Sequence, residues 1–107
     1  MALTREFSET VRERAQTDAA FRVAMLTEAT EAIVTGEAVT ARALLRDYIN
    51  ATLGFETLAN ETGISAKSLH RMFGPKGNPT LANLSTVLRV LEASEGLTFE
   101  VIAQANG

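Results

Sequence analysis

Glycine and proline divide this chain into segments of helix length. The seven glycines and two prolines fall at few places, and between them apolar residues recur every three or four positions. That spacing is typical of amphipathic helices, whereas a strand alternates apolar and polar residues. We therefore predict an all-α fold of five or six helices around one core.

Length and composition restrict the class of protein. A chain of 107 residues has room for one hydrophobic core, so we expect a single domain over residues 1–107 and exclude a large multidomain enzyme. The absence of cysteine and the single histidine, His70, argue against disulfides, thiol nucleophiles and a typical zinc site. No apolar run could span a bilayer and no signal-peptide pattern occurs, so we expect a cytoplasmic protein without membrane contact.

Residues 1–53 are predicted to form three N-terminal helices. The first runs from Leu3 to about Gln16. The second runs from the N-cap Asp18 to the stop at Gly36, and the third follows Glu37 and ends at Gly54. Their core-facing stripes are Phe7, Val11 and Ala15 in the first, Phe21, Met25, Ala29, Ala32 and Ile33 in the second, and Ala41, Leu44, Leu45, Tyr48, Ile49 and Leu53 in the third.

A further helix is predicted over residues 80–95, after a loop. The loop, residues 74–79, holds both prolines and cannot continue a helix. Thr80 is the expected N-cap and Gly96 the stop, and the apolar stripe comprises Leu81, Leu84, Val87, Leu88 and Leu91. In the C-terminal segment, residues 97–103, apolar and polar residues alternate from Leu97 to Val101, which predicts one short strand.

The most informative segment is residues 55–73, whose pattern predicts a helix-turn-helix. Two short helices, 55–62 and 66–73, are separated by Gly63, which permits the turn, and by Ser65, which can cap the second helix. A small residue, Ala59, lies where the helices would cross. The expected apolar anchors are Leu58, Ile64, Leu69 and Met72.

The second helix of this motif has side chains suited to DNA on its outer surface. With Leu69 and Met72 turned to the core, the residues left for that surface are Lys67, Ser68, His70 and Arg71, with Ala66 at the leading edge. Lysine and arginine donate to guanine edges or to phosphates, and serine can contact either. The pattern therefore favours double-stranded DNA as a ligand.

These residues resemble the lambda-repressor-like, Xre-type regulators and, within them, the addiction-module antidote proteins (HigA-like antitoxins). The loop and helix after the motif, residues 77–84 and 87–91, carry the resemblance as well, so it is good over 58–91 and weaker over 18–101. It implies a lambda-repressor-like domain with an N-terminal helical extension, acting as a homodimeric repressor and as the antitoxin of a RelE-like toxin. It places at the DNA Ser65, Ala66, Lys67, Ser68 and Arg71, with Lys76 and Asn78 of the following loop near the backbone.

One position departs from the family pattern, and the charge of the motif is modest. Many of these repressors have glutamine at the start of the first motif helix, where this chain has Phe55. Residues 55–91 contain four basic and two acidic residues, while the rest of the chain is net negative. One copy would neutralise few phosphates, so we expect a dimer with recognition helices ~34 Å apart. We expect its contact at the C-terminal helix or at Leu97–Val101.

One alternative to DNA binding remains open. The motif can be a structural corner in a protein-interaction module that neutralises a partner toxin without DNA binding.

His70 is most simply a surface or half-buried residue, because no partner for acid–base work is evident. Paired carboxylates, a nucleophile triad, a phosphate-binding loop and metal-ligand spacing are not found, so we expect no enzymatic activity, cofactor or metal.

Overall fold

The structure, a computed structural model, describes the backbone of residues 5–106 and the side chains of residues 9–106. Over this range it contains six helices: α1 (Arg5–Thr17), α2 (Ala19–Val34), α3 (Ala38–Ala51), α4 (Gly54–Thr62), α5 (Ala66–Met72) and α6 (Leu81–Glu95). No strand occurs between residues 5 and 106, which confirms the all-α prediction. The expected start at Leu3 and the side chain of Phe7 lie outside the described residues.

Helix α3 lies at the centre of the fold. It packs against α1, α2 and α4, and its contact with α2 is the most extensive between any two helices of the described chain. Tyr48, Leu45 and Ile49 of α3 are almost completely buried, together with Leu26 of α2 and Leu91 of α6. None of the six helices is long and apolar enough to cross a membrane.

The predicted apolar stripes are confirmed with two exceptions. Val11 and Ala15 of α1 pack into the core as expected, as do the named positions of α2 and α3. Leu81 is 80% exposed, so its assignment to the core-facing stripe of α6 is wrong. It is the first residue of α6 and lies beyond the part of the helix that reaches the core. Leu26 is buried, although the pattern did not select it.

The N-caps of α2 and α6 and the C-cap of α6 are those that the sequence predicts, whereas α3 ends at Ala51, before its predicted stop at Gly54, which begins α4. Asp18 accepts a hydrogen bond from the amide of Phe21 (3.2 Å), and Thr80 accepts one from the amide of Asn83 (3.1 Å). Gly96 ends α6 in the left-handed conformation, with φ of +68°. Each cap pairs a backbone group that the helix itself leaves free.

The expected strand at Leu97–Val101 does not form. Beyond Gly96 the amide of Leu97 donates to the carbonyl of Glu92 (3.0 Å), and the amide of Phe99 donates to the Glu92 carboxylate (2.8 Å). A strand needs a neighbouring strand for its remaining backbone groups, and residues 5–106 provide none. Residues 99–102 instead lie beside α2, where they border a shallow groove with Thr27 and Val34.

A polar network connects four helices at one end of the fold. The hydroxyl of Tyr48 in α3 donates to the carboxylate of Glu95 at the end of α6. The same carboxylate receives Nε of Arg22 from α2 at 2.8 Å. Nη1 of Arg22 also donates to the carbonyl of Ala15 in α1 (2.9 Å). These contacts hold α1 and α2 against α6.

Candidate nucleic-acid interface

Helices α4 and α5 form a tightly connected pair. Only residues 63–65 separate them, and Gly63 has φ of +75°, a conformation that favours glycine. The Gly63 amide donates to the carbonyl of Ala59 (2.9 Å), which closes α4. Leu58 of α4 and Leu69 of α5 are fully buried. The predicted glycine turn is therefore confirmed, and α5 is held firmly on α4.

Burial of one side of α5 leaves its basic residues on the opposite side. Leu69 and Met72 are buried, whereas Lys67 and Arg71, four residues apart, are exposed. Within residues 9–106, no hydrogen bond or ion pair engages either cationic side chain. Both cations are therefore available to an anionic ligand.

The N-terminal edge of α5 is formed by Ser65, Ala66 and Ser68. The hydroxyl oxygen of Ser65 accepts a hydrogen bond from the Ser68 amide (3.1 Å), as the capping prediction requires. The two serine hydroxyls also lie 2.9 Å apart in a hydrogen bond. Ala66 and Ser68 are half-buried, and Ser65 is exposed. The Ser65 hydroxyl thus has a structural role at the position where DNA contact is predicted.

The loop after α5 is closely packed around Gly77. The amide of Gly77 donates to the carbonyl of Gly74 (2.9 Å). A Cβ on Gly77 would lie 2.0 Å from the carbonyl oxygen of Met72. Only glycine fits here without movement of the backbone. Lys76 and Asn78, on either side of it, are exposed as the interface prediction requires.

Two arginines of α3 hold this loop in place. Nη2 of Arg42 donates to the carbonyl of Pro75 (3.2 Å), and Nη1 of Arg46 donates to the carbonyl of Phe73 (3.3 Å). Both bonds pair carbonyls close to the C-terminal end of α5, where a cation is favourable. Sequence reasoning missed these residues because their partners are backbone atoms far along the chain, which no side-chain pattern marks.

Phe55 and His70 form an aromatic pair on one side of the α4–α5 pair. Their ring centroids are 4.2 Å apart and the ring planes differ by 29°. Phe55 is 6% exposed and also lies 6.4 Å from the ring of Phe73. It is therefore a packing residue at the position where the family resemblance implies glutamine. His70 is exposed, as the surface interpretation expected.

Residues 55–91 carry four exposed cations that form no ion pair within the described residues. Arg14 pairs with Asp18 (3.2 Å) and Arg22 with Glu95 (2.8 Å), so these cations are partly neutralised. In contrast, all four cations of residues 55–91 are exposed and have no ion-pair partner in the described part of the chain: Lys67, Arg71, Lys76 and Arg89. Paired charges attract phosphate less strongly than unpaired ones, so these four cations favour an anionic ligand on this segment.

The described residues contain no group of three or more histidine or acidic side chains that could hold a metal ion. Comparison with known proteins gives no match: no protein-family model, curated protein or solved structure is significantly similar to the chain.

Proposed function

We propose that the protein is a sequence-specific DNA-binding regulator of the lambda-repressor-like, Xre type, acting as a homodimeric repressor. The observation that carries this proposal is the α4–α5 pair, which presents Lys67 and Arg71 unpaired on the exposed side of a firmly anchored helix. A helix anchored in this way can enter the major groove without first becoming ordered.

The proposed contacts divide into two classes. Lys67 and Arg71 lie opposite the buried face of α5, where a recognition helix meets the base edges. Lys76 and Asn78 lie in the loop held by Arg42, where they meet backbone phosphates. Ser65, Ala66 and Ser68 form the leading edge of α5, and their small size allows close approach to the groove.

The small number of free cations supports a dimer. Two copies double the number of phosphates neutralised, and their recognition helices then read two half-sites about one turn of DNA apart. An exposed apolar patch on the described surface is suited to this contact: Val34 of α2 is 61% exposed, and Val101 and Ile102 are 74% and 79% exposed beside it. Occupancy of the operator by the dimer blocks transcription.

The resemblance to HigA-like antitoxins adds a second candidate activity, which is neutralisation of a RelE-like toxin. In the alternative function, the protein binds such a toxin and does not bind DNA significantly. The acidic residues outside the motif, which make the rest of the chain net negative, favour this alternative for a basic partner. If the protein is a DNA-binding repressor, substitution of Lys67 or Arg71 weakens its binding to DNA. If it only neutralises a toxin, the same substitutions leave neutralisation unchanged.

The test is a fluorescence-anisotropy titration with ~30-base-pair duplexes, a length that holds two half-sites one turn apart. One duplex is selected by the protein from a random-sequence library, and the other has the same bases shuffled. The variants are Lys67→Ala, Arg71→Ala and Lys76→Ala. Arg12→Ala is the control, because Arg12 is an exposed cation of α1 without a hydrogen bond or ion pair among the described residues.

Selective, salt-dependent binding by the wild-type protein is expected. Loss of a base contact at Lys67 or Arg71 should cost about 1 to 3 kcal/mol on the selected duplex, and loss of Lys76 should weaken both duplexes alike. Arg12→Ala should bind like the wild type. Equal, weak binding of both duplexes by the wild type would contradict the repressor function and favour the protein-interaction module.

A further inference from the structure

We propose that His70 is a further DNA-contacting residue, whose imidazole N–H donates a hydrogen bond to a phosphate of the DNA backbone. The inference rests on the proposed function and extends it to a residue that the sequence places on the outer surface of α5 but not among the predicted DNA contacts. It depends on three observations: where His70 lies on α5, how Phe55 holds its ring, and which of its polar atoms remain free.

The position of His70 on α5 favours a phosphate over a base. Successive residues of an α-helix are about 100° apart, so His70 lies on the flank between buried Leu69 and outward-facing Arg71. When the outward side of a helix faces the floor of the major groove, its flank faces the wall of the groove. That wall is made of the sugar–phosphate backbone.

The stack on Phe55 orders the His70 ring before any ligand is present. The centroids are 4.2 Å apart and the ring planes differ by 29°, and Phe55 is itself buried in the core. A long side chain such as Lys67 loses rotamer freedom when it binds, whereas a ring that is already held in place loses less. The aromatic pair therefore makes a defined contact at low entropic cost.

The polar atoms of the ring are free to bind a ligand. His70 is exposed, and across residues 9–106 no hydrogen bond or ion pair involves its imidazole nitrogens. An imidazole carries at least one N–H in either protonation state, so a donor is always present. A phosphate oxygen accepts such a bond from any base sequence, because the backbone is the same throughout.

The experiment compares His70→Phe with His70→Ala in the full chain, on the selected and shuffled duplexes described above. Phenylalanine keeps a ring for the stack on Phe55 but has no N–H, and alanine removes both. We expect both variants to lose about tenfold in affinity on both duplexes, with the ratio between the duplexes unchanged. Thermal unfolding of each variant without DNA provides the control for folding, and Arg71→Ala provides the control for base contact.

Three results would overturn the inference. If His70→Phe binds like the wild type while His70→Ala is weakened, His70 only packs on Phe55. If affinity falls on the selected duplex alone, the contact is to a base. If Arg71→Ala loses selective binding but neither His70 variant changes, this inference fails and the proposed function stands. Failure of the wild-type protein to bind either duplex would contradict both this inference and the proposed function.

Discussion

The hydroxyl of Tyr48 donates a hydrogen bond to a carboxylate oxygen of Glu95, which lies 47 residues further along the chain. Tyr48 is fully buried, and the Glu95 side chain, 8% exposed, is also paired with Arg22. Charged and polar groups at such low exposure destabilise a fold unless they are paired. This network therefore ties the N-terminal helices to α6 only while all three partners are present.

The first prediction concerns alkaline pH. Burial, followed by the hydrogen bond to Glu95, raises the pKa of Tyr48 from 10.0 to about 12. Because the folded-state pKa lies above the unfolded value, the stabilisation is complete below about pH 10 and is lost as pH rises towards about 12. We expect the free energy of unfolding to fall by up to about 2 kcal/mol over this range.

Tyr48 can be observed directly, since the chain has one tyrosine and no tryptophan. Ultraviolet absorbance of the phenolate reports its titration, and denaturant unfolding at each pH reports stability. Tyr48→Phe is the control, because it cannot titrate and should lose less stability on alkalinisation. A phenolate titration centred near 10 in the folded protein would contradict the prediction.

The second prediction concerns Glu95. Replacement of Glu95 by glutamine leaves Arg22, whose side chain is 23% exposed, without its counterion. We expect Glu95→Gln to lower the free energy of unfolding by about 2 kcal/mol, less than for a fully buried pair because water reaches Arg22. Chemical denaturation measures the change. The control is Glu28→Gln, at an exposed position of α2, which should change the free energy of unfolding by less than about 0.5 kcal/mol. Equal effects of the two substitutions would show that the network does not stabilise the fold.

The third prediction concerns Gly63 and Gly77, at which glycine is required for different physical reasons. A Cβ at Gly63 would meet open space, but the residue has φ of +75°, so Gly63→Ala should cost about 1 kcal/mol. At Gly77 a Cβ would lie 2.0 Å from the Met72 carbonyl oxygen, so Gly77→Ala must move the loop that contains Lys76. We expect the larger loss of stability at Gly77, measured by thermal unfolding, and the opposite order would show that the loop adapts.

The fourth prediction concerns the dimer. Val101 and Ile102 are 74% and 79% exposed, so charges there should not disturb the folded monomer. The double substitution Val101→Asp, Ile102→Asp should convert a dimer to a monomer in sedimentation velocity, because an interface core excludes unpaired charge. Val39→Asp, at a residue of α3 that is 72% exposed, is the control and should leave the dimer intact. A wild-type monomer at micromolar concentration would contradict the proposed dimer.

Much of the local structure was predictable because its causes are local. The caps at Asp18, Ser65 and Thr80 are hydrogen bonds across three residues, and the turn at Gly63 is a backbone conformation. The exposure of Lys67 and Arg71 also follows from the spacing of Leu69 and Met72 within one helix. Whether these exposed residues bind DNA stays a prediction.

The misassigned residues depend on what lies nearby in space. Leu81 has a suitable spacing for the core, but it is 80% exposed because none of the described residues covers it at the start of α6. The strand expected at Leu97–Val101 needs backbone partners, and the described chain has no second strand to supply them. The spacing of apolar residues identifies the apolar side of a helix or strand, but that side is buried only where another part of the chain packs against it.

By itself, the sequence of this protein determined the order of its helices, the caps at Asp18, Ser65 and Thr80, and which side of α5 is basic, since these depend on residues a few positions apart. The tertiary structure alone decided that Phe55 holds the ring of His70, that Arg42 and Arg46 hold the loop after α5, and that Tyr48, Arg22 and Glu95 meet in one network. These contacts join residues 15 to 73 positions apart, which come together only when the helices pack.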